Sequence, residues 1–503
     1  IVTHRWLGIA GSVLFVTWFV SGIAMMYARM PRLPAGERLL RLAPLSLDAA
    51  RVEPADAVAR LSRPPVRLRM AMLEGRPVYR LFDGAQWTTV FADTGTPVST
   101  LTADAASQIA AHFLAADDSD PHTFRHEGLV REPDQWTLQL RALLPAHKVV
   151  FEDAARSHVY VSEQTGEPVL VTTRRARTLG YLGAVMHWLY FTPLRRNGRV
   201  WSEVIIWLSV AGCVLCLTGL IWGLWQLVRL RGTPYQGLMR WHLYFGLVFG
   251  AVTFTFVFSG LLSMDPWSWS PGTGATPAQR RAVAGGRFAP QQLSLTTLRE
   301  ALAALQTDFA VREIEVIQFR ARLFLEAYRP PPATGGIRHP HGDPGDVIAA
   351  RLPLEHRLVD LTSPERGSFE RFDDDAIRDA ARAAMPGVPE RDAHWLSQYD
   401  SYYYDRNAEL PLPVLRVRYD DERGTWLYVD PYRGTILRKE ERLSRLNRWL
   451  YHGLHSLDFP WLYRRRPLWD IVVIVLSVGG LIVSVTSAPA GWRRLRGVFR
   501  NGT

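Results

Sequence analysis

Cysteine is nearly missing from this chain. Cys213 and Cys216 are the two cysteines among 503 residues, and both lie inside one apolar run. No disulfide framework is therefore expected to hold the polar segments. Their C-x-x-C spacing lacks the helix N-terminus that would lower a thiol pKa, so the pair reads as two small residues packed against neighbouring helices. A G-x-G-x-x-G fingerprint after a strand is also missing, which removes the usual signature of a bound dinucleotide. Acidic residues are in deficit, with 48 Asp and Glu against 59 Lys and Arg, a formal net charge of +11. The excess falls mostly on arginines flanking apolar runs, so nucleic acid is not an expected partner. Charge is missing from the middle of those runs, because Glu203 and Asp470 sit at their ends and read as interfacial caps. Unbroken runs without midplane charge argue against a transporter.

What is present is apolar sequence in blocks. Hydrophobic residues make up 48% of the chain, and runs long enough to cross a bilayer lie at about Leu7 to Tyr27, Val200 to Val228, Leu243 to Leu262 and Leu468 to Ser487. A four-span protein in contact with membrane lipid follows. The first run is too long for a signal-peptide h-region and has no small-residue cleavage site after it, so it is expected to persist as a span. Because the chain starts at Ile1 rather than Met, a short basic tail is expected ahead of it. The connection after span 2 (Arg229, Arg231, Arg240) and the C-terminal tail (Arg493, Arg494, Arg496, Arg500) are short and basic. The positive-inside rule places both, and with them both termini, in the cytoplasm. The long segments, roughly 31–185 and 267–450, are then expected to face outward into a periplasm. Arg195, Arg196 and Arg199, and Arg464, Arg465 and Arg466, run against that rule at equivalent places before spans 2 and 4. Lipid headgroups or an anionic ligand would suit them.

The spans are written twice. A shift of 238 residues superposes His4 on His242, Gly8 on Gly246, Thr17 on Thr255, Ser21 on Ser259, Gly22 on Gly260 and Met26 on Met264. A shift of 268 superposes His187 on His455, Phe191 on Phe459, Trp201 on Trp469 and Gly212 on Gly480. The chain reads as a tandem duplication of span, outer segment, short amphipathic approach helix and span, the two copies related by an axis along the membrane normal. Such an axis carries His4 to the same depth as His242, and His187 to that of His455. Ionisable side chains in apolar surroundings are rare and costly. Imidazole is a strong axial ligand for haem iron, and a glycine four residues on, Gly8 or Gly246, clears a slot on the same helix face for a flat macrocycle. Two bis-histidine b haems per chain, one toward each membrane face, are the expected cofactors. Zinc is disfavoured, because no nearby Cys or carboxylate completes a tetrahedral set. His452 has Ala184 as its counterpart and is a candidate alternative ligand or supporting group. Met26 and Met264 read as core packing.

The outer segments read as small α+β modules. A strand-turn-strand pattern recurs at Phe91 to Val98, Val161 to Val169 and Tyr428 to Leu437, each with a glycine where a tight turn needs positive φ. Amphipathic helices are expected at Asp104 to Phe113 and Asp375 to Ala384. Pro330 to Asp346 is a loop by composition, with His339 and His341 as surface residues. In Gln398 to Pro413, Asp400, Tyr402, Tyr403 and Tyr404 combine carboxylate with aromatic faces. They suit a substrate cradle or, equally, tyrosines packing two modules together.

The segments "HRWLG", "YVDP" and "RWLYHGLHSLDFPWLYRRRPLWD", with the Gly-rich end of span 4, resemble the PepSY-associated transmembrane family. Its members include inner-membrane ferric-siderophore reductases of Gram-negative bacteria. The resemblance covers nearly the whole chain and is strongest over 448–480. It implies a four-helix haem-binding membrane unit with periplasmic PepSY-like modules, and an oxidoreductase that reduces ferric iron in imported siderophores so that the weaker-binding ferrous ion is released. The family's histidines map onto His4, His187, His242 and His455. The division of the chain is then span 1 in 1–30, a PepSY-like domain in 31–180, an approach helix and span 2 in 181–230, a cytoplasmic loop and span 3 in 231–266, a second PepSY-like domain in 267–446, and an approach helix, span 4 and tail in 447–503. Electrons are expected from a cytoplasmic or quinol donor and are passed to a ferric siderophore or another periplasmic acceptor. The rival reading is a non-enzymatic regulator or assembly factor that binds a periplasmic partner through its modules. In that case the histidines only pack, and the purified protein is colourless.

Overall fold

An amide in hydrocarbon has no water to bond, so an apolar run of spanning length closes its hydrogen bonds within a helix. The computed structural model describes residues 1–98, 101–115, 123–230, 233–305, 309–330, 354–405 and 410–501. The apolar runs lie in helices Val2–Met25, Gly198–Leu230, Leu238–Ser263 and Leu468–Asn501, here spans 1 to 4. All four are long and apolar enough to cross a membrane. Helix ends are set by backbone bonding rather than by hydropathy: spans 2, 3 and 4 extend beyond their hydrophobic runs, whereas span 1 starts earlier, at Val2, and stops at Met25, short of Tyr27. Span 4 continues past an internal Pro489.

The spans belong to one of two compact units, made of Ile1–Met30, Ala176–Gly272 and Arg442–Thr503. Span 1 packs on spans 2 and 4, and span 3 packs on the same two, so spans 1 and 3 lie across a diagonal. Close approach depends on small residues. Phe15, Phe19, Cys213 and Val257 form a buried cluster at mid-bundle, and a Cβ on Gly480 would run into the Phe19 ring. Both cysteines are free thiols, with Cys213 buried in this cluster and Cys216 packed against it.

Spans 2 and 4 are each preceded by a broken helix. The first runs through Arg174–Gly180, a π-helical turn at Tyr181–Val185 and Met186–Trp188. The second runs through Arg442–Asn447, a π turn at Arg448–Gly453 and Leu454–Ser456. Both stop at a leucine in the left-handed region, Leu189 (φ 50°) and Leu457 (φ 51°). The Trp201 indole then donates to the Trp188 carbonyl at 2.8 Å, and Trp469 to the Ser456 carbonyl at 3.0 Å. The helix ends have carbonyls free to accept, and each supplies one to an indole N–H, that of the half-buried Trp201 and that of the buried Trp469.

The second unit, Pro31–Arg175 and Thr273–Glu441, is built on three antiparallel sheets. Strands Phe124–Val130, Ala146–Phe151, His158–Ser162 and Pro168–Thr172 form one four-stranded sheet. Strands Glu390–Leu396, Val414–Tyr419, Trp426–Asp430 and Thr435–Glu440 form another. Helix Ala103–Ala115 covers the first through Ala106 and Ala110 against Val149 and Val159. Helix Asp374–Ala384 covers the second through Ile377 and Ala381 against Leu415 and Leu427. The third sheet has seven strands drawn from both outer segments. Arg67–Leu73 pairs with Glu313–Phe319 at Leu68↔Val316 and Met70↔Ile314. The two segments divided in sequence at 31–180 and 267–446 thus share a sheet, which removes an edge that each would otherwise expose.

Turn glycines fall where positive φ was expected, at Gly95 (72°), Gly166 (65°) and Gly434 (60°). Among the described residues the first of these turns closes through a bridge, Val90↔Pro97. His339 and His341 lie outside the described residues.

Candidate functional site

His4 stands in the first turn of span 1, and His242 near the start of span 3. The diagonal packing of these spans sets their rings 6.2 Å apart, centroid to centroid, with planes tilted by 47°. The Nδ1 of His4 is 3.0 Å from the Leu215 carbonyl of span 2, and the Nδ1 of His242 is 2.9 Å from the Val483 carbonyl of span 4. A carbonyl only accepts, so Nδ1 carries the proton and Nε2 the lone pair in each neutral ring.

The second pair has the same arrangement by a different route. His187 and His455 follow the two π turns, whose extra residue per turn changes the direction in which the next side chains leave the helix. Their centroids are 6.0 Å apart, with planes at 63°. The Nδ1 of His187 is 3.2 Å from the Trp18 carbonyl of span 1, and the Nδ1 of His455 is 3.0 Å from the Phe256 carbonyl of span 3. Ser21 Oγ and Ser259 Oγ stand 3.3 and 3.2 Å from the same two nitrogens. All four imidazoles are thus held through Nδ1 by backbone carbonyls of other elements.

The glycines divide into two groups. A Cβ on Gly246 would meet no heavy atom within 4 Å, and one on Gly8 would meet Leu215 at an ordinary 3.7 Å. The close approaches to imidazole are made elsewhere: a Cβ on Gly219 would stand 2.6 Å from His4 Cε1, on Gly22 3.3 Å from His187 Cε1, and on Gly260 3.5 Å from His455 Cε1. Gly22 and Gly260 are matched repeat positions in the sequence. Gly219 falls on Ser487 and carries no repeat signal. His452 lies in the second π turn with its ring 4.5 Å from that of Tyr451, which in turn lies 5.6 Å from His455. It therefore neighbours the second pair through Tyr451.

Asp400, Tyr402, Tyr403 and Tyr404 lie in the other unit. The Asp400 carboxylate accepts from the Tyr402 and Tyr403 amides at 2.8 and 2.6 Å, from Arg416 at 3.0 Å and from the Tyr428 hydroxyl at 3.0 Å. Tyr403 is buried, stacks on Tyr428 at 5.1 Å and donates to the Pro411 carbonyl. Burial, and then the Asp400 charge, push the Tyr428 hydroxyl well above its ordinary pKa. Tyr402 packs edge-on against Trp426, and Tyr404 is half-buried. Asp134 makes a similar knot in the other four-stranded sheet, with the Trp136 and Thr137 amides and the Tyr160 hydroxyl. These groups hold a turn through the Asp400 carboxylate. Among the described residues, no group of three or more His, Cys, Asp and Glu side chains is placed to hold a metal ion by itself. In comparisons with known proteins, no family model and no curated protein matches this chain.

Proposed function

We propose that this protein is a di-haem b electron-transfer protein of a bacterial inner membrane that reduces ferric iron in siderophore complexes on the periplasmic side. His4 and His242 would hold one haem, and His187 and His455 the other. One observation carries the reading: two pairs of histidines, each ring pinned through Nδ1 to a carbonyl and each pair about one metal's span apart. With metal–nitrogen bonds of about 2 Å and about 1 Å more from nitrogen to ring centre, two imidazoles on one metal put their centroids about 6 Å apart. The measured 6.2 and 6.0 Å fit that arrangement. A metal held by protein alone would want three or four donors, whereas a haem iron would ask of the protein no more than the two imidazoles that each pair offers.

When bound, haem supplies one-electron chemistry at neutral pH. The chain's own contribution is positioning. Each Nδ1–H donated to a carbonyl fixes the tautomer, orients the ring and raises the basicity of Nε2. The apolar bundle around the pairs keeps water away and lowers the local dielectric. The mid-bundle cluster of Phe15, Phe19 and Val257 fills the space between the spans.

A tandem duplication is supported by matched contacts. The carbonyl acceptors Trp18 and Phe256, the leucines Leu189 and Leu457, and the tryptophans Trp201 and Trp469 all obey the sequence shifts. The basic connection after span 2 and the basic tail support the cytoplasmic placement of the termini. The ferric-siderophore acceptor rests on the sequence resemblance, and the missing dinucleotide fingerprint favours a cytoplasmic or quinol donor. The test is a dithionite-reduced minus air-oxidised spectrum of the detergent-purified protein, with haem counted as pyridine haemochrome. The expected result is sharp b-type bands at about two haems per chain. His4→Ala should remove one haem and His455→Ala the other. A colourless protein that also fails to take up added haem would overturn the proposal.

A further inference from the structure

The two histidine pairs differ in one respect that the sequence symmetry does not require. In the pair His4 and His242, each Nδ1 meets one carbonyl. A shared carbonyl is common to both pairs: the Thr218 and Thr486 hydroxyls donate to Leu215 O at 3.1 Å and Val483 O at 3.0 Å, and the Ser21 and Ser259 hydroxyls donate in part to Trp18 O at 3.3 Å and Phe256 O at 3.0 Å. In the pair His187 and His455, each Nδ1 meets a carbonyl and a serine oxygen together. Ser21 donates its own proton to the Thr17 carbonyl at 2.6 Å, and Ser259 donates to the Thr255 carbonyl at 2.5 Å. With the hydroxyl proton committed to the helix, the serine oxygen can only accept from the imidazole. Hydrogen bonds chained in this way polarise one another. Serine and threonine back-bonding of this kind is common in helices and by itself means little. Thr253 and Thr486 make it without reaching an imidazole, whereas Ser21 and Ser259, at matched positions, both place Oγ against a ring nitrogen.

We infer that Ser21 and Ser259 are positioning residues that set the two haem sites to different potentials, by giving the imidazoles of His187 and His455 a second acceptor that those of His4 and His242 lack. The inference rests on the haem reading above. A doubly accepted Nδ1–H makes Nε2 the more basic ligand, which favours ferric over ferrous iron and lowers the midpoint of that site. The direction is independent of which face of the membrane the pair occupies.

The experiment is a spectroelectrochemical titration of the full-length, haem-loaded protein with redox mediators. The wild type is compared with Ser21→Ala/Ser259→Ala and with Ser21→Thr/Ser259→Thr, and the two midpoints are assigned with His4→Ala. The alanine pair should raise the midpoint of the His187 and His455 site by about a tenfold change in the ferric-to-ferrous ratio, roughly 59 mV for one electron. The other midpoint should stay in place, haem content should be unchanged, and the threonine pair should restore the wild-type value. Two midpoints unmoved by the alanine pair, or both moved together, would overturn the serine inference while leaving the haem reading standing. A wild-type protein that binds no haem would sink both.

Discussion

The two units partner their polar side chains differently. In the sheet unit the buried groups are charged and answer one another. Arg38 bonds both Glu167 at 2.7 Å and Glu313 at 2.8 Å, and Arg69 reaches the same two carboxylates. The fully buried Arg80 lies 3.2 Å from Glu167 and donates to the Thr165 carbonyl. In the bundle the four half-buried imidazoles are each held through Nδ1 by a carbonyl of another element, while Arg448 and Asp458 are among its buried charges. The Arg–Glu cluster balances its charges internally and ties strands to a turn. Polar groups that answer one another read as structure, and paired rings held at a fixed separation read as a candidate site. The Asp400 turn falls with the first kind despite its ligand-like composition.

The contrast can be tested where the expected effects are largest. Glu167→Gln leaves Arg80 and Arg69 short of a buried counter-charge, and should lower stability by about 3–5 kcal/mol in denaturant unfolding; the bundle's absorption spectrum should not change. The same cluster sets a pH dependence. Burial alone would raise the Glu313 carboxyl, but Arg38 and Arg69 outweigh it and pull it down to about 2. The unfolded chain therefore takes up the proton first, so the stabilisation is present above pH ~4.5 and is lost as pH falls toward 2. At about 1.4 kcal/mol per unit it amounts to about 3 kcal/mol, read from the melting temperature across that range. Gly219→Ala would push a methyl against His4 and should cost about 1–3 kcal/mol of packing. It should also broaden or deplete one haem signal, whereas Gly260→Ala, with more room at His455, should leave the spectrum near wild type. The smallest effect is expected from Asp400→Asn. It weakens a turn by about 1–2 kcal/mol in thermal unfolding and leaves acceptor reduction unchanged; a large loss of reduction with normal stability would return that cluster to the site.

The elements set by local physics were legible in the sequence. Span-length apolar runs specify helices because hydrocarbon offers the backbone no other partner. The turns at Gly166 and Gly434 and the helices over Ala103–Ala115 and Asp374–Ala384 follow from positive φ and from periodicity, which are properties of a few neighbouring residues. Repeat arithmetic also named His4, His187, His242 and His455 as matched pairs. What the sequence could not carry was distance. The 6 Å separations exist because spans 1 and 3 cross a diagonal and because two π turns redirect the approach helices. Gly219 lies close to His4 through span packing that no local pattern records. The shared seven-stranded sheet joins strands separated by more than two hundred residues, and the Asp400 knot is closed by Arg416 and Tyr428 from other strands. The sequence by itself determined which residues form each span and which histidines are equivalent, since those depend on composition and order. Tertiary structure alone decided which nitrogen of each ring is held, which glycines make room and which acids are already satisfied, because each of these depends on atoms brought together from distant parts of the chain.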